Sequence, residues 1–313
     1  PGVGPAGPLL GQKPGADGAV TKTIALGMTP EKRHYITCKP IPPVPVELRL
    51  TLIPAGQFVM GDPRGEPDER QPARVRIERP FWMGVLEVSN AQYSVFDAAH
   101  DSRCIDMELK DQEHPGYPVN HNDQPVVRVS WREAAAFCKW LSETTGGKFA
   151  LPTEAQWEWA CRAGTSGPLW YGDVQTDFAT FANLSDVSMK KFALERFRPR
   201  IAANPVPEHA FIPKVETVDD KHQVSAPVGS YKPNAWGLYD MHGNVAEWTC
   251  SAYKPYPYTA DDGRNDPAAG GKRVARGGSW FDRPCRARSA FRLAYESYQK
   301  VFNVGFRVVM EAE

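Results

Sequence analysis

The chain contains no Cys-x-x-Cys pair, no His-x₃-His, no net charge, and no apolar run approaching the roughly 18 to 20 residues of a membrane-spanning helix. Each absence removes a class of function. Six cysteines scattered at positions 38, 104, 138, 161, 250 and 285 do not have the spacing of a zinc or iron-sulfur site. Seven scattered histidines offer no triad for iron. Thirty-seven basic side chains balance thirty-seven acidic ones, so no overall field draws the chain to nucleic acid or an anionic membrane. No signal-peptide core follows Pro1, which leaves either a cytoplasmic chain or one whose leader is already removed. An even cysteine count is compatible with disulfides in an exported protein. A chain of this length does not require them, so the redox compartment stays open.

What is present describes a globular protein. A 42% hydrophobic content over 313 residues is enough for a full core. With 29 prolines and 26 glycines, short elements and many turns are expected. Residues 1–46 are Gly/Pro/Ala-rich and read as a linker or extended arm, ending in the polyproline-like PIPPVP at 40–45. The folded domain is expected over 47–313. Alternating apolar residues predict a strand over 46–53 with a hairpin partner at 58–61, then a second strand pair at 73–78 and 81–88. Three capping boxes, Ser89/Gln92, Ser130/Glu133 and Thr153/Gln156, predict three short helices. In the second, Ala134, Phe137, Cys138 and Leu141 share one face, which makes Cys138 a core residue rather than a nucleophile. Residues 173–235 carry little pattern, and a loop that long needs something to cross-link it.

The densest stretch is GLYDMHGNVAEW, Gly237 to Trp248. It holds Asp240, Asn244 and Glu247 together with two glycines, Gly237 and Gly243, that permit positive φ. Oxygen donors in a folded loop are what Ca²⁺ takes; the plainer reading is a polar turn anchored by Tyr239 and Trp248. Further oxygen ligands stand at Asn183–Asp186 and Asp219–His222, where solvated carboxylates are the ordinary reading. His242 is expected to hydrogen-bond within its loop. The arginines of 273–292 could bind an anion, although such groups more often face inward as partners for loop carboxylates.

Taken in order, IPAGQFVMG (53–61), EVSN (87–90), VSW (129–131), LPTEAQWEWA (151–160), APV (226–228), the 237–248 stretch, RGGSW (276–280) and NVGFR (303–307) resemble the formylglycine-generating enzyme family, also called the sulfatase-modifying-factor family. The likeness runs from about residue 48 to 310. It implies a loop-rich α+β fold with short helices and small antiparallel sheets, distantly like the C-type lectin fold. It also implies two calcium ions. One would be held by Asp240, Gly243, Val245 and Glu247, the other by Asn183, Leu184, Asp220 and His222, with Gly243, Val245, Leu184 and His222 giving only backbone oxygens.

Active members of the family oxidise a substrate cysteine to formylglycine with O₂ and copper(I), held by two cysteines, the first of them three positions after the Ser of Gly-Gly-Ser. Here that position is Asp282, a poor ligand for a soft ion. Cys285 stands alone in a segment about three residues shorter than in those enzymes. Ser279 and Asn303 persist, and around His114-Pro115 the family's peptide-binding insertion has no equivalent. The resemblance therefore implies a degenerate site near Ser279, Asp282, Cys285 and Asn303, with calcium as cofactor and no copper. The expected role is a binding or accessory module for a protein or glycan partner, reached through residues 1–46 within a larger assembly; the alternative is a formylglycine-generating oxidoreductase or an O₂-dependent relative with altered metal chemistry. The iron-dependent sulfoxide synthases of the wider family need a His-rich domain that is absent from this sequence. In exported relatives the cysteines matching Cys138 and Cys161 are bridged to positions that are Val308 and Ser289 here, so a substitute Cys161–Cys285 bridge is an expectation to test. Calcium favours a periplasmic or extracellular location over the cytoplasm, because millimolar calcium fills weak sites.

Overall fold

The computed structural model describes residues 11–14, 19–33, 40–105, 116–189 and 214–312. Cys38 and the His114-Pro115 stretch lie outside them. Among these residues no helix is long and apolar enough to cross a membrane.

All three capping boxes form. Ser89, Ser130 and Thr153 each accept from the backbone of the residue three positions on, whose side chain bonds back, and so start α1 (Asn90–Phe96), α2 (Trp131–Thr145) and α3 (Glu154–Arg162). On α2, Ala134, Phe137, Cys138 and Leu141 are buried as one face. Gly146 ends that helix in the left-handed conformation.

Six strands make the main sheet, in the order Gly11–Pro14, Val20–Met28, Pro45–Ile53, Phe81–Gly84, Val309–Glu311, Phe149–Ala150. Thus the stretch read as a linker or arm contributes a nine-residue strand, Val20–Met28, hydrogen-bonded to Pro45–Ile53. Its alternate residues Ile24 and Leu26 are buried with Val46, Leu48 and Leu50 in the largest core cluster, against α1 and α2. The other face, through Ile53, Phe81 and Met83, packs on α3 and Tyr256.

The expected hairpin partners are exchanged. Pro45–Ile53 pairs with Phe81–Gly84, while Gly56–Met60 pairs with Ala73–Ile77, nesting one hairpin inside the other. Trp159 explains the break: its indole donates to the Pro54 carbonyl at 2.9 Å, and its ring lies so close to Gly56 that a Cβ there would be 2.7 Å away. The chain is deflected at Pro54–Gly56 instead of folding back.

A four-stranded sheet, Leu293–Glu296, Lys272–Arg276, Ala246–Ala252, Val304–Gly305, carries the loops of interest. Four of the six arginines of 273–292, Arg273, Arg276, Arg288 and Arg292, face inward, while Arg283 and Arg286 are exposed. Arg276 is fully buried between Glu154 and Glu158, Arg292 bonds Glu154, and Arg288 grips Glu69 with two nitrogens at 2.6 and 2.8 Å.

Candidate calcium loops and the degenerate active-site segment

The Gly237–Glu247 loop curls tightly because Gly237, Asp240, Gly243 and Asn244 all have positive φ. Asp240 is buried. Its Oδ2 accepts from the Gly229 amide at 2.6 Å, while Oδ1 has no partner. Glu247, at the start of its strand, is taken by Arg307 through both oxygens, at 2.5 and 2.7 Å, and by the Trp157 indole at 2.7 Å. A third carboxylate, Glu87, accepts from the Val245 amide and the Asn244 side chain. Burial, then the charges of Asp240 and Glu247, push the Glu87 carboxyl well above its ordinary range; burial raises Asp240 too. Three buried carboxylates thus share one guanidinium, an excess of negative charge that a cation would offset.

In the second loop pair, Asp220 accepts from the Leu184 and His222 amides, both at 2.9 Å, and its own amide donates to Asp186. Burial first, then the Asp186 charge, lifts Asp220 to about 8. The His222 ring turns to Tyr231 (2.9 Å) and its carbonyl accepts from Ser188, so any contribution from His222 would be through the backbone. Asn183 donates to Val224 and to Asn244, but its buried Oδ1 has no partner.

The two loops meet. Asn183 and Gly243 form a parallel bridge, the Asn244 amide donates to the Asn183 carbonyl at 2.8 Å, and a Cβ on Gly243 would lie 2.2 Å from that oxygen. Among the described residues no three carboxylate, imidazole or thiolate groups converge on one point. A cation at either loop would therefore rely on carbonyl and amide oxygens beside one or two carboxylates, a donor set suited to a hard ion. The unpartnered Asp240 Oδ1 and Asn183 Oδ1, one in each expected ligand set, fit that requirement. Glu247 fits less well, since Arg307 and Trp157 already occupy it.

The segment after Gly278 is different in kind. Ser279 donates to Asp282 Oδ2 and accepts from Asn303 Nδ2, both at 2.7 Å, and Arg286 lies 3.3 Å from Asp282 Oδ1. All of Ser279, Asp282 and Asn303 are buried, whereas Cys285 is an exposed free thiol. The structure brings Ser279, Asp282 and Asn303 together and leaves Cys285 out.

Cys161 does not bridge to Cys285. It is free and buried, with Ser289 Oγ and His242 Nε2 each 3.6 Å from its sulfur, and burial raises its thiol to about 12. His242 is more than a local contact: Nδ1 donates to the Ala287 carbonyl at 2.6 Å and Nε2 accepts from the Trp170 amide at 3.1 Å. Burial holds that imidazole neutral, down to about 3. It fastens three segments and is no metal ligand here.

Sequence reasoning missed Glu87 and Arg307 as members of these loops, whereas Asp186 lies in the Asn183–Asp186 stretch it had singled out. Glu87 and Arg307 lie inside EVSN and NVGFR, motifs quoted above only for the family resemblance.

A family model described as "Sulfatase-modifying factor enzyme 1-like domain" matches residues 42–312. The formylglycine-generating enzyme of Bos taurus is 28% identical over 97% of this chain and 85% of its own length. A bovine protein named inactive C-alpha-formylglycine-generating enzyme 2 is 32% identical over 83% of this chain and 87% of its own. Among solved structures, PvdO from Pseudomonas aeruginosa superposes with a TM-score of 0.61 at 23% identity, covering 91% of this chain and 99% of that one; this likeness concerns the fold alone.

Proposed function

From the premise that the chain belongs to the sulfatase-modifying factor enzyme 1-like family, we propose that it is a calcium-stabilised member that does not generate formylglycine and acts as a binding or accessory module for a protein or glycan partner. The family includes relatives named as active enzymes and as inactive ones. The observation that carries the proposal is the fate of Asp282. Where the resemblance requires a copper-binding cysteine, a buried carboxylate is bonded to Ser279 and held by Arg286, and the one thiol of the segment faces solvent. Cuprous ion needs converging thiolates, which Asp282 and Cys285 do not supply.

Calcium, when bound, supplies a cross-link between irregular segments. In the first loop Asp240 and Glu247 would hold it with the Gly243 and Val245 carbonyls. In the second, Asn183 and Asp220 would do so with the Leu184 and His222 carbonyls. Arg307 offsets part of the charge at the first loop, and Asn244 ties the two together. This reading favours a periplasmic or extracellular setting, where millimolar calcium is available.

The oxidase alternative is tested directly. The purified protein, incubated with copper(I), O₂ and a cysteine-containing sulfatase-type peptide, should give no aldehyde mass change; aldehyde formation would overturn the proposal. Metal analysis should find stoichiometric calcium and no tightly held copper or iron.

A further inference from the structure

The main sheet buries one face through Ile24, Leu26, Val46, Leu48 and Leu50, but its other face is covered unevenly. From Ile53 onward that face packs on α3. Four residues earlier, at the exposed Arg49, it is open, and a cavity of about 820 Å³ lies over it, with the buried Thr51 donating its hydroxyl to the Trp236 carbonyl at 3.3 Å. Side chains alternate between the faces of a strand. With Ile24, Leu26, Leu48 and Leu50 in the core, Thr23, Arg49 and Thr51 point to the opposite face, Thr23 directly across from Arg49 in the register. Trp170, from the loop after α3, and Tyr239, from the first candidate calcium loop, complete the walls.

The chemistry of this cavity is one-sided. Among the described residues no aspartate or glutamate lines it. Of its two arginines, Arg162 is spent on Glu158 and on the Gly61 and Gly167 carbonyls. Arg49 is exposed, and its guanidinium has no hydrogen-bond or ion-pair partner among the described residues. The cavity thus holds one uncommitted positive charge beside threonine hydroxyls and two aromatic rings. A guanidinium matches a carboxylate or phosphoryl group through paired donors. Hydroxyls and aromatic walls suit a polyhydroxylated ring, and the volume falls in the range of small-molecule sites. One wall, Ala19 to Thr23, lies before residue 42, where the family match begins.

We infer that this cavity is a binding site for an acidic sugar, a hexose ring carrying a carboxylate or phosphoryl group, with the anion on Arg49 and the ring between Trp170 and Tyr239. Ser279, Asp282, Cys285 and Asn303 are not among its lining residues, so the site does not depend on whether the chain is an oxidase. It specifies where and what a glycan partner would present.

The test is a titration of the full chain, followed by tryptophan fluorescence and calorimetry, with four probes: glucuronate, glucose 6-phosphate, glucose and inorganic phosphate. At least one acidic sugar should saturate, and glucose and phosphate should each bind about tenfold or more weakly, because each lacks one half of the recognised group. Preference between the two acidic sugars tells a carboxylate source from a phosphoryl one. Arg49→Ala removes an exposed side chain, so the fold survives while affinity should fall at least about tenfold; Thr23→Val should cost less. The inference is overturned if neither acidic sugar saturates in the millimolar range, if Arg49→Ala leaves affinity unchanged, or if phosphate alone binds as well as the sugar phosphate. The peptide-oxidation assay and this titration read different residues, so either can fail without the other.

Discussion

Gly243 and Gly237 sit in the same loop with nearly the same backbone, φ +81° and +74°, yet alanine should have very different effects at the two. At Gly237 an added Cβ meets nothing within 4 Å. The cost there is the left-handed conformation alone, about 1–2 kcal/mol. At Gly243 the same strain applies, but the Cβ would also lie 2.2 Å from the Asn183 carbonyl oxygen, 2.9 Å from its carbon and 3.0 Å from Leu184 Cδ2. The two nearest obstructing atoms are backbone, so the loops must separate by about 1 Å, adding overpacking of about 1–3 kcal/mol and loss of the Asn244–Asn183 hydrogen bond, about 1 kcal/mol. The expected totals are about 1–2 kcal/mol for Gly237→Ala and about 3–6 kcal/mol for Gly243→Ala. In a domain of this size the difference of about 2–4 kcal/mol corresponds to roughly 3–7 °C in melting temperature.

Thermal and urea unfolding in EDTA measures it. Repeating both with calcium at a hundredfold over its dissociation constant should stabilise wild type and Gly237→Ala by about 2.7 kcal/mol per site. Gly243→Ala should recover much less, because its ligand oxygens are displaced in both loops. Equal destabilisation by the two substitutions, or full calcium stabilisation of both, would refute a junction between the loops at Asn183 and Gly243.

Arg276→Met should destabilise by about 3–5 kcal/mol in denaturant titration, because it strands Glu154 and Glu158 without their shared buried partner; a loss under about 1 kcal/mol would show that Arg162 and Arg292 suffice. His100, bonded to the Val127 carbonyl at 3.0 Å, has its imidazole held below the ordinary range by burial. The folded state then binds fewer protons than the unfolded one, so its contribution is present above about pH 6.5 and is lost as pH falls below it. His100→Phe should flatten that part of the stability profile, and an unchanged slope would refute the assignment. Iodoacetamide should label Cys285 in the native protein, whereas Cys104, Cys161 and Cys250, with thiols raised to about 11 or 12 by burial, should react only on unfolding. Peptide mass mapping reads this, and native protection of Cys285 would contradict its exposure.

The features legible in the sequence were those written in neighbouring residues. Each capping box is a contract between positions three apart, so Ser89, Ser130 and Thr153 announced their helices, and the face of α2 followed from its period. Strand pairing was not local. Whether Pro45–Ile53 pairs with Gly56–Met60 or with Phe81–Gly84 is decided by Trp159, about a hundred residues on, gripping the Pro54 carbonyl. Val20–Met28 was hidden by its surroundings: the Gly/Pro-rich composition of 1–46 outweighed the alternation of Ile24 and Leu26. In the loops, residue types showed where oxygen was concentrated, but Glu87 and Arg307 reach Val245 and Glu247 from far along the chain, and nothing near 237–248 points to them. His242 was expected to bond inside its own loop, and its partners, Trp170 and Ala287, come from two others.

The Val20–Met28 strand has a bearing on colloidal behaviour. It caps the hydrogen-bonding groups along Pro45–Thr51 and helps cover Val46, Leu48 and Leu50. A chain trimmed to begin at residue 42 would leave Pro45–Thr51 as unpaired, β-prone backbone on an open edge, the template on which copies of a protein stack into aggregates. Removing the arm should therefore raise light scattering relative to the full chain.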